Sequence, residues 1–155
     1  MTIDRTTTSR SPETQSPRLP AIFLVEDDAA IRALVTRLLT LKEYRVLAAE
    51  HAAGALPMWT EHRDEIDLLL TDLVLPGSMT GRELAAHCQR DRPDLKVIFT
   101  SGYNMESCTS GDWLREGLNF LQKPYRPEQL IEAVRTMLAS PPNLKSKTYV
   151  AGPAR

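Results

Sequence analysis

The residues best suited to chemistry are Glu26, Asp27 and Asp28 after one short apolar run, Asp72 after a second, Thr100-Ser101 after a third, and Lys123-Pro124 after a fourth. If those run ends meet in space, the acids repel one another. Two like charges about 4 Å apart cost on the order of 4 kcal/mol at an effective dielectric near 20. A cation relieves that cost, and carboxylate and carbonyl oxygens without nearby His or Cys favour a hard ion such as Mg²⁺, which keeps several waters and accepts phosphate oxygens. Lys123 brings a second positive charge. A divalent ion and an ammonium together can neutralise a transferring phosphoryl group, and an acidic side chain can itself be the nucleophile. Singly, each residue has a plain explanation: solvated acids ending a strand, a strand threonine with a satisfied hydroxyl, an ordinary Lys-Pro turn. Together, those explanations leave unexplained why three acids and a lysine share one edge.

The elements that must place them there are legible from changes of period. Ala21–Val25 is a continuous apolar run of the length of a strand buried on both faces. Ile31, Leu34, Val35, Leu38 and Leu39 then recur at helical spacing, with Asp28 in N-cap position. Four more strand-then-helix rounds follow: Tyr44–Ala48 and about 52–63, Ile66–Thr71 and about 82–91, Leu95–Thr100 and about 103–116, Leu118–Gln122 and about 128–139. This alternation predicts an α/β fold, (βα)₅, with a doubly wound parallel five-stranded sheet, because parallel strands need crossovers and right-handed crossovers cover both faces. Ligands of such sheets bind beyond the carboxyl ends of the strands, at the topological switch point. All four candidate segments fall on that edge.

Composition sets the frame. The 155 residues suit one domain, 42% hydrophobic and 25% charged residues are ordinary globular usage, and no run approaches the roughly 18 apolar residues of a membrane span. Residues 1–20 hold eight Ser/Thr and three Pro with few large aliphatics, and read as a disordered segment. Residues 140–155 read as a flexible basic tail, with Lys145, Lys147 and Arg155 against no acid. The intervening 21–139 carries 13 Lys and Arg against 18 Asp and Glu, which argues against nucleic acid as its ligand. A cytoplasmic location is expected from the absence of an apolar signal region, and Cys88 and Cys108 are expected as free thiols. His51, His62 and His87 lack ligand spacing and read as surface residues, while Trp59 and Trp113 read as packing.

The segments Phe-Leu-Val-Glu26-Asp27-Asp28, Leu-Leu-Leu-Thr-Asp72-Leu-Val-Leu-Pro76, Val-Ile-Phe-Thr100-Ser101-Gly-Tyr and Phe120-Leu-Gln-Lys123-Pro124, each at a predicted strand end, resemble the receiver domain of two-component response regulators. The likeness spans about 21–139, and its wording is nearest to receivers attached to hybrid histidine kinases or standing alone beside them. The resemblance implies a flavodoxin-like fold in which Asp72 accepts a phosphoryl group as an acyl phosphate. It further implies that the Asp27 and Asp72 side chains and the Val74 carbonyl bind Mg²⁺, and that Glu26 holds the metal's waters. Lys123 is expected to contact the phosphoryl oxygens, and Thr100 to swing its hydroxyl toward the phosphate while Phe120 turns inward. The implied donor is a phosphohistidine on a histidine kinase or histidine phosphotransfer protein. The implied reader is a protein target, unidentified from sequence, docking on the face made by the last two strands and the helices after them. The Lys123–Pro124 bond is expected to be cis.

Such a domain promotes its own phosphorylation and dephosphorylation but has no external product, so it is expected not to be an enzyme in the ordinary sense. The other readings are a phosphorylation-independent interaction module on the same fold and an aspartyl-phosphate hydrolase, which Asp72-Leu-Val disfavours by lacking a second acid. A DNA-binding regulator is not expected, since only a short Pro-rich segment follows 139. Phe120 also has a plain reading as core. Val74 and Gly102, two residues beyond Asp72 and Thr100, carry no polar side chain, and the Pro76–Gly81 loop is slightly longer than in many receivers. The predicted helix over 103–116 is poor in helix formers and contains Gly111. The apolar stripe of the last helix needs only core packing, although a homodimer through the fourth and fifth predicted helices is compatible with it.

Overall fold

The computed structural model describes residues 17–102 and 114–141. The described elements run β1 (Ala21–Val25), α1 (Ala29–Leu41), β2 (Arg45–Ala49), α2 (Ala52–His62), β3 (Ile66–Asp72), α3 (Gly81–Asp91), β4 (Lys96–Ser101), β5 (Phe120–Gln122) and α4 (Pro127–Ala139). The five strands form one parallel sheet in the order β2-β1-β3-β4-β5, so the chain reverses its direction of winding between β1 and β3.

Strand alternation divides the core in two. Phe23, Val25, Leu69, Val97, Phe99 and Phe120 point to one face, which Trp59 of α2 and Leu84, Ala85 and Cys88 of α3 cover. Ile22, Leu24, Leu68, Leu70, Ile98 and Leu121 point to the other, under Val35 and Leu39 of α1 and Leu130, Ala133 and Val134 of α4. Buried Trp59 donates its indole N–H to Asp91 at 2.9 Å, in line with a packing role. Cys88 is a free, buried thiol that desolvation pushes up to about 12.

Register places the site. The β1–β3 pairing shifts once, between Ala21 and Ile22, so that Ala21 partners Ile66, Ile22 partners Leu68 and Val25 partners Thr71. Asp67, skipped by the ladder, accepts the Ala21 N–H at 2.8 Å and pairs with the Arg18 guanidinium at 2.9 Å. Arg18, ahead of β1, is thus tied to the sheet. With this register Glu26 emerges beside Asp72, whose own partner on β4 is Thr100.

Sequence patterning missed several boundaries for local reasons. Tyr44 is not in β2, because its N–H closes the end of α1 on the Leu39 carbonyl at 3.1 Å, after Glu43 takes a left-handed φ of 62°. Leu118 and Asn119 are not in β5. Gly117, at φ 76°, opens a turn in which the Arg115 carbonyl accepts from both, so the strand starts at Phe120. Most of the predicted helix over 103–116 lies outside the described residues, but its end is corrected: Leu114 and Arg115 are not helical, and Glu116 forms a bridge with Phe120.

Leu69, fully buried in β3, and Leu34, 56% exposed on α1, separate core from surface. Leu69→Ala is expected to cost about 2–5 kcal/mol and Leu34→Ala to stay within about 0.5 kcal/mol, as measured by urea unfolding.

Candidate functional site

The carboxyl ends of β1, β3, β4 and β5 converge, and backbone hydrogen bonds carry the sheet one residue past three of them. Glu26 N–H donates to the Ala49 carbonyl at 3.1 Å, Leu73 N–H to Thr100 at 2.8 Å, and Lys123 N–H to Ser101 at 2.7 Å. The Lys123–Pro124 peptide is cis. These bonds bring together Glu26, Asp72, Thr100 and Lys123 from segments far apart in sequence.

Lys123 Nζ lies 2.7 Å from Glu26 Oε2 and 2.8 Å from Asp72 Oδ2. Glu26 is 3% exposed and Asp72 9%. Asp27 is exposed, yet one oxygen from each of Glu26, Asp27 and Asp72 falls within a 4.8 Å cluster. Three carboxylates against one ammonium leave the site formally at −2. Its donors are hard oxygens, and its open side is at Asp27. A divalent hard cation fits both the charge and the donor chemistry.

Burial shifts the two central groups. Desolvation pushes the Asp72 carboxyl above its ordinary range, with Glu26 and Asp27 adding to the rise, against the hydrogen bond and charge of Lys123. Desolvation pulls the Lys123 ammonium down, but its hydrogen bonds to Asp72 and Glu26 outweigh this and leave it raised. Tyr125, half-buried beside them, is pushed up to about 12, chiefly by burial.

Thr100 is 3% exposed and Phe120 fully buried, the latter in the cluster with Leu84, Phe99 and Leu114. Val74 is 58% exposed at the lip of the site. Gly102 is exposed with open space where a Cβ would stand. Among the histidines, His51 is exposed and caps α2, its Nδ1 accepting the Gly54 N–H at 3.0 Å, whereas His62 and His87 are half-buried.

Three residues that shape the site carried no signal in the spacing of charged residues. A Cβ at Gly81, the first residue of α3, would lie 1.7 Å from the Asp72 carbonyl oxygen, so only glycine lets α3 start against the end of β3. The Thr80–Glu83 capping box fixes that start. Thr71 Oγ1 donates to the same Asp72 carbonyl at 3.1 Å. Arg32 of α1 donates from Nη1 to the Glu26 carbonyl at 2.7 Å and to the Asp27 carbonyl at 3.3 Å. Of the three, glycine directly after a capping threonine is the only one that sequence could have flagged.

A doubly wound parallel sheet in the order β2-β1-β3-β4-β5, with an acid–lysine cluster at its switch point, defines a flavodoxin-like protein. Residues 22–135 match the family model of the response regulator receiver domain, and the chain belongs to that family. It is 33% identical over 117 residues to the sensor kinase CckA of Brucella abortus, covering 76% of this chain and 12% of that protein. It is 31% identical to the response regulator receiver protein CpdR of the same species, over 76% of this chain and 95% of CpdR. The crystal structure of the receiver domain from the hybrid histidine kinase CckA superposes with a TM-score of 0.64 at 33% identity, over 76% of this chain and 98% of that one. The chain is therefore a receiver domain of two-component signalling, and it spans only a small part of the kinase. Among the described residues no helix is long and apolar enough to cross a membrane.

Because Asp72 titrates above its ordinary value of 3.8, the folded chain holds a proton there more tightly than the unfolded chain. The associated stability is complete below that ordinary value and is lost as pH rises through the raised one. Metal-free Asp72→Asn is accordingly expected to melt at or above the wild-type temperature at pH 7, with the difference narrowing as pH falls. A clearly lower melting temperature at pH 7 contradicts the dominance of burial over the Lys123 pair.

Proposed function

We propose that Asp72 accepts a phosphoryl group from a phosphohistidine of a histidine kinase or histidine phosphotransfer protein, in a Mg²⁺-dependent step that switches a protein-binding surface. The observation that carries this reading is Lys123 held between buried Glu26 and Asp72, with Asp27 completing an oxygen cluster on the open side. Asp27, Asp72 and the Val74 carbonyl would hold the ion, with Glu26 toward its waters. When bound, Mg²⁺ supplies positive charge to the phosphoryl oxygens and lowers the repulsion between them and the acids.

In the transfer, an Asp72 carboxylate oxygen forms the new O–P bond while the P–N bond to the donor imidazole breaks. The imidazole leaves with the bonding pair and takes up a proton. Lys123 is tethered within reach of the new oxygens and exchanges its contact with the Asp72 carboxylate for one with the phosphoryl group. Hydrolysis by water returns the carboxylate and inorganic phosphate. No external substrate is turned over, so the domain works as a phosphoacceptor and not as an enzyme with a product of its own.

The switch follows from adjacency. Thr100 partners Asp72 on one side and Leu121 on the other, and Phe120 partners Phe99. A Thr100 hydroxyl drawn toward the phosphoryl oxygens opens space next to Phe120, and the edge of the sheet at β4 and β5 rearranges for a protein target. The phosphoryl contacts supply the differential free energy that any such shift requires. The working unit is 21–139, a cytoplasmic module flanked by the 1–20 and 140–155 segments.

Incubation with Mg²⁺ and a small acyl-phosphate donor is expected to add one phosphoryl group by intact mass, and to add none to Asp72→Asn or without metal. Absence of the adduct with both the small donor and a phosphorylated histidine kinase would favour the phosphate-independent interaction module. Exposed Val74 and Gly102 offer no polar side chain to orient an attacking water, so the acyl phosphate is expected to be long-lived, with Val74→Asn shortening its half-life severalfold. An unchanged decay rate in that variant refutes the assignment of Val74.

A further inference from the structure

The backbone of the acidic loop is held by a cation that takes no part in the chemistry above. Glu26 N–H is bound to Ala49, Asp28 N–H donates to Glu26 Oε1 at 3.2 Å, and the Asp28 carboxylate accepts from Ala30 and Ile31 to cap α1. The carbonyls of Glu26 and Asp27 are taken by Arg32 Nη1, at 2.7 and 3.3 Å. Among the described residues the Arg32 guanidinium enters no ion pair, although it binds the backbone of two of the clustered acids.

On charge alone this is an unfavourable placement for a metal site, since a fixed cation near the acids repels Mg²⁺. Geometry supplies the compensation. The Asp27 side chain is exposed and packing does not fix it, so its position depends on the path of its own backbone. That path is set on the carbonyl side by Arg32, one helical turn into α1. We propose that Arg32 is a positioning residue of the metal site: its grip on the Glu26 and Asp27 carbonyls sets the turn that presents the Asp27 carboxylate beside Asp72. The inference rests on the proposal that Asp27 and Asp72 hold Mg²⁺. Arg32 also lines an open groove with Ala29, Ala33, Thr36 and Ala48, which leaves room for a methionine stem in its place.

The test is calorimetric titration of Mg²⁺ alone into the wild-type chain, Arg32→Met, Arg32→Lys and Asp27→Asn, with thermal unfolding of each in metal-free buffer. Arg32→Met is expected to bind Mg²⁺ roughly tenfold more weakly, the scale of lost supporting contacts at metal sites, with Arg32→Lys in between and metal-free melting close to wild type. Simple electrostatics requires the opposite, because removing a cation tightens binding of another. Mg²⁺ affinity of Arg32→Met equal to or above wild type therefore overturns the proposal. Should that variant fail to fold, Arg32→Lys decides: it keeps the charge but loses the guanidinium, so wild-type affinity there overturns the proposal and reduced affinity supports it. A wild-type chain that binds no Mg²⁺, or Asp27→Asn that binds as wild type does, removes the metal reading itself and this inference with it.

Discussion

Lys123 Nζ sits 2.7 Å from Glu26 and 2.8 Å from Asp72, and without it two buried carboxylates would meet at the end of the sheet with no counter-charge. Each contact is worth on the order of 5 kcal/mol of Coulomb attraction at an effective dielectric near 20, before the desolvation that opposes it. The raised titration of Asp72 shows that desolvation still prevails there. The cluster is thus held together but not satisfied, and the remaining negative charge at Asp27 faces outward. An arrangement of this kind costs stability in the resting chain and gains most from a divalent ion or a group that gives Lys123 a better partner.

The fold serves that arrangement. Three ladder bonds that continue the sheet frame the site: Glu26 on Ala49, Leu73 on Thr100, Lys123 on Ser101. The shift at Ala21/Ile22, held by Asp67 and Arg18 at the far end of β1, decides that Glu26 arrives level with Asp72. Around Asp72 the backbone is equally constrained. Thr71 bonds the Asp72 carbonyl, and Gly81 lets α3 begin where any side chain would collide with it. Thr100 lies one ladder step from this rigid centre, and Phe120, paired with Phe99, lies one strand further toward the sheet edge.

Much of this was legible in the sequence, because the same physics writes both patterns. Strands buried on both faces must be short continuous apolar runs, so β1 and the body of β3 stood out, and Asp28 marked the start of α1. The acids, Thr100 and Lys123 are legible because each ends or follows such a run, and the topology of alternating strands and helices brings run ends to one edge. Signals failed where backbone geometry overrode side-chain character. Tyr44 has strand character but closes a helix through its N–H, and Leu118 and Asn119 are turned by Gly117. Arg32 was invisible for a different reason: its partners are carbonyls, which every residue possesses, so no sequence spacing distinguishes it from a solvated helix arginine. Gly81 reads from sequence only as a loop end, since its role depends on a close approach to a residue in another element.

The proposed chemistry depends first on which atom receives the phosphoryl group. Reduction of the phosphorylated chain with borohydride converts an aspartyl phosphate to homoserine, and peptide mapping then reads the position directly. Homoserine is expected in place of Asp72 and nowhere else. Phosphate retained on Thr100, Ser101 or a histidine, with Asp72 intact, contradicts it.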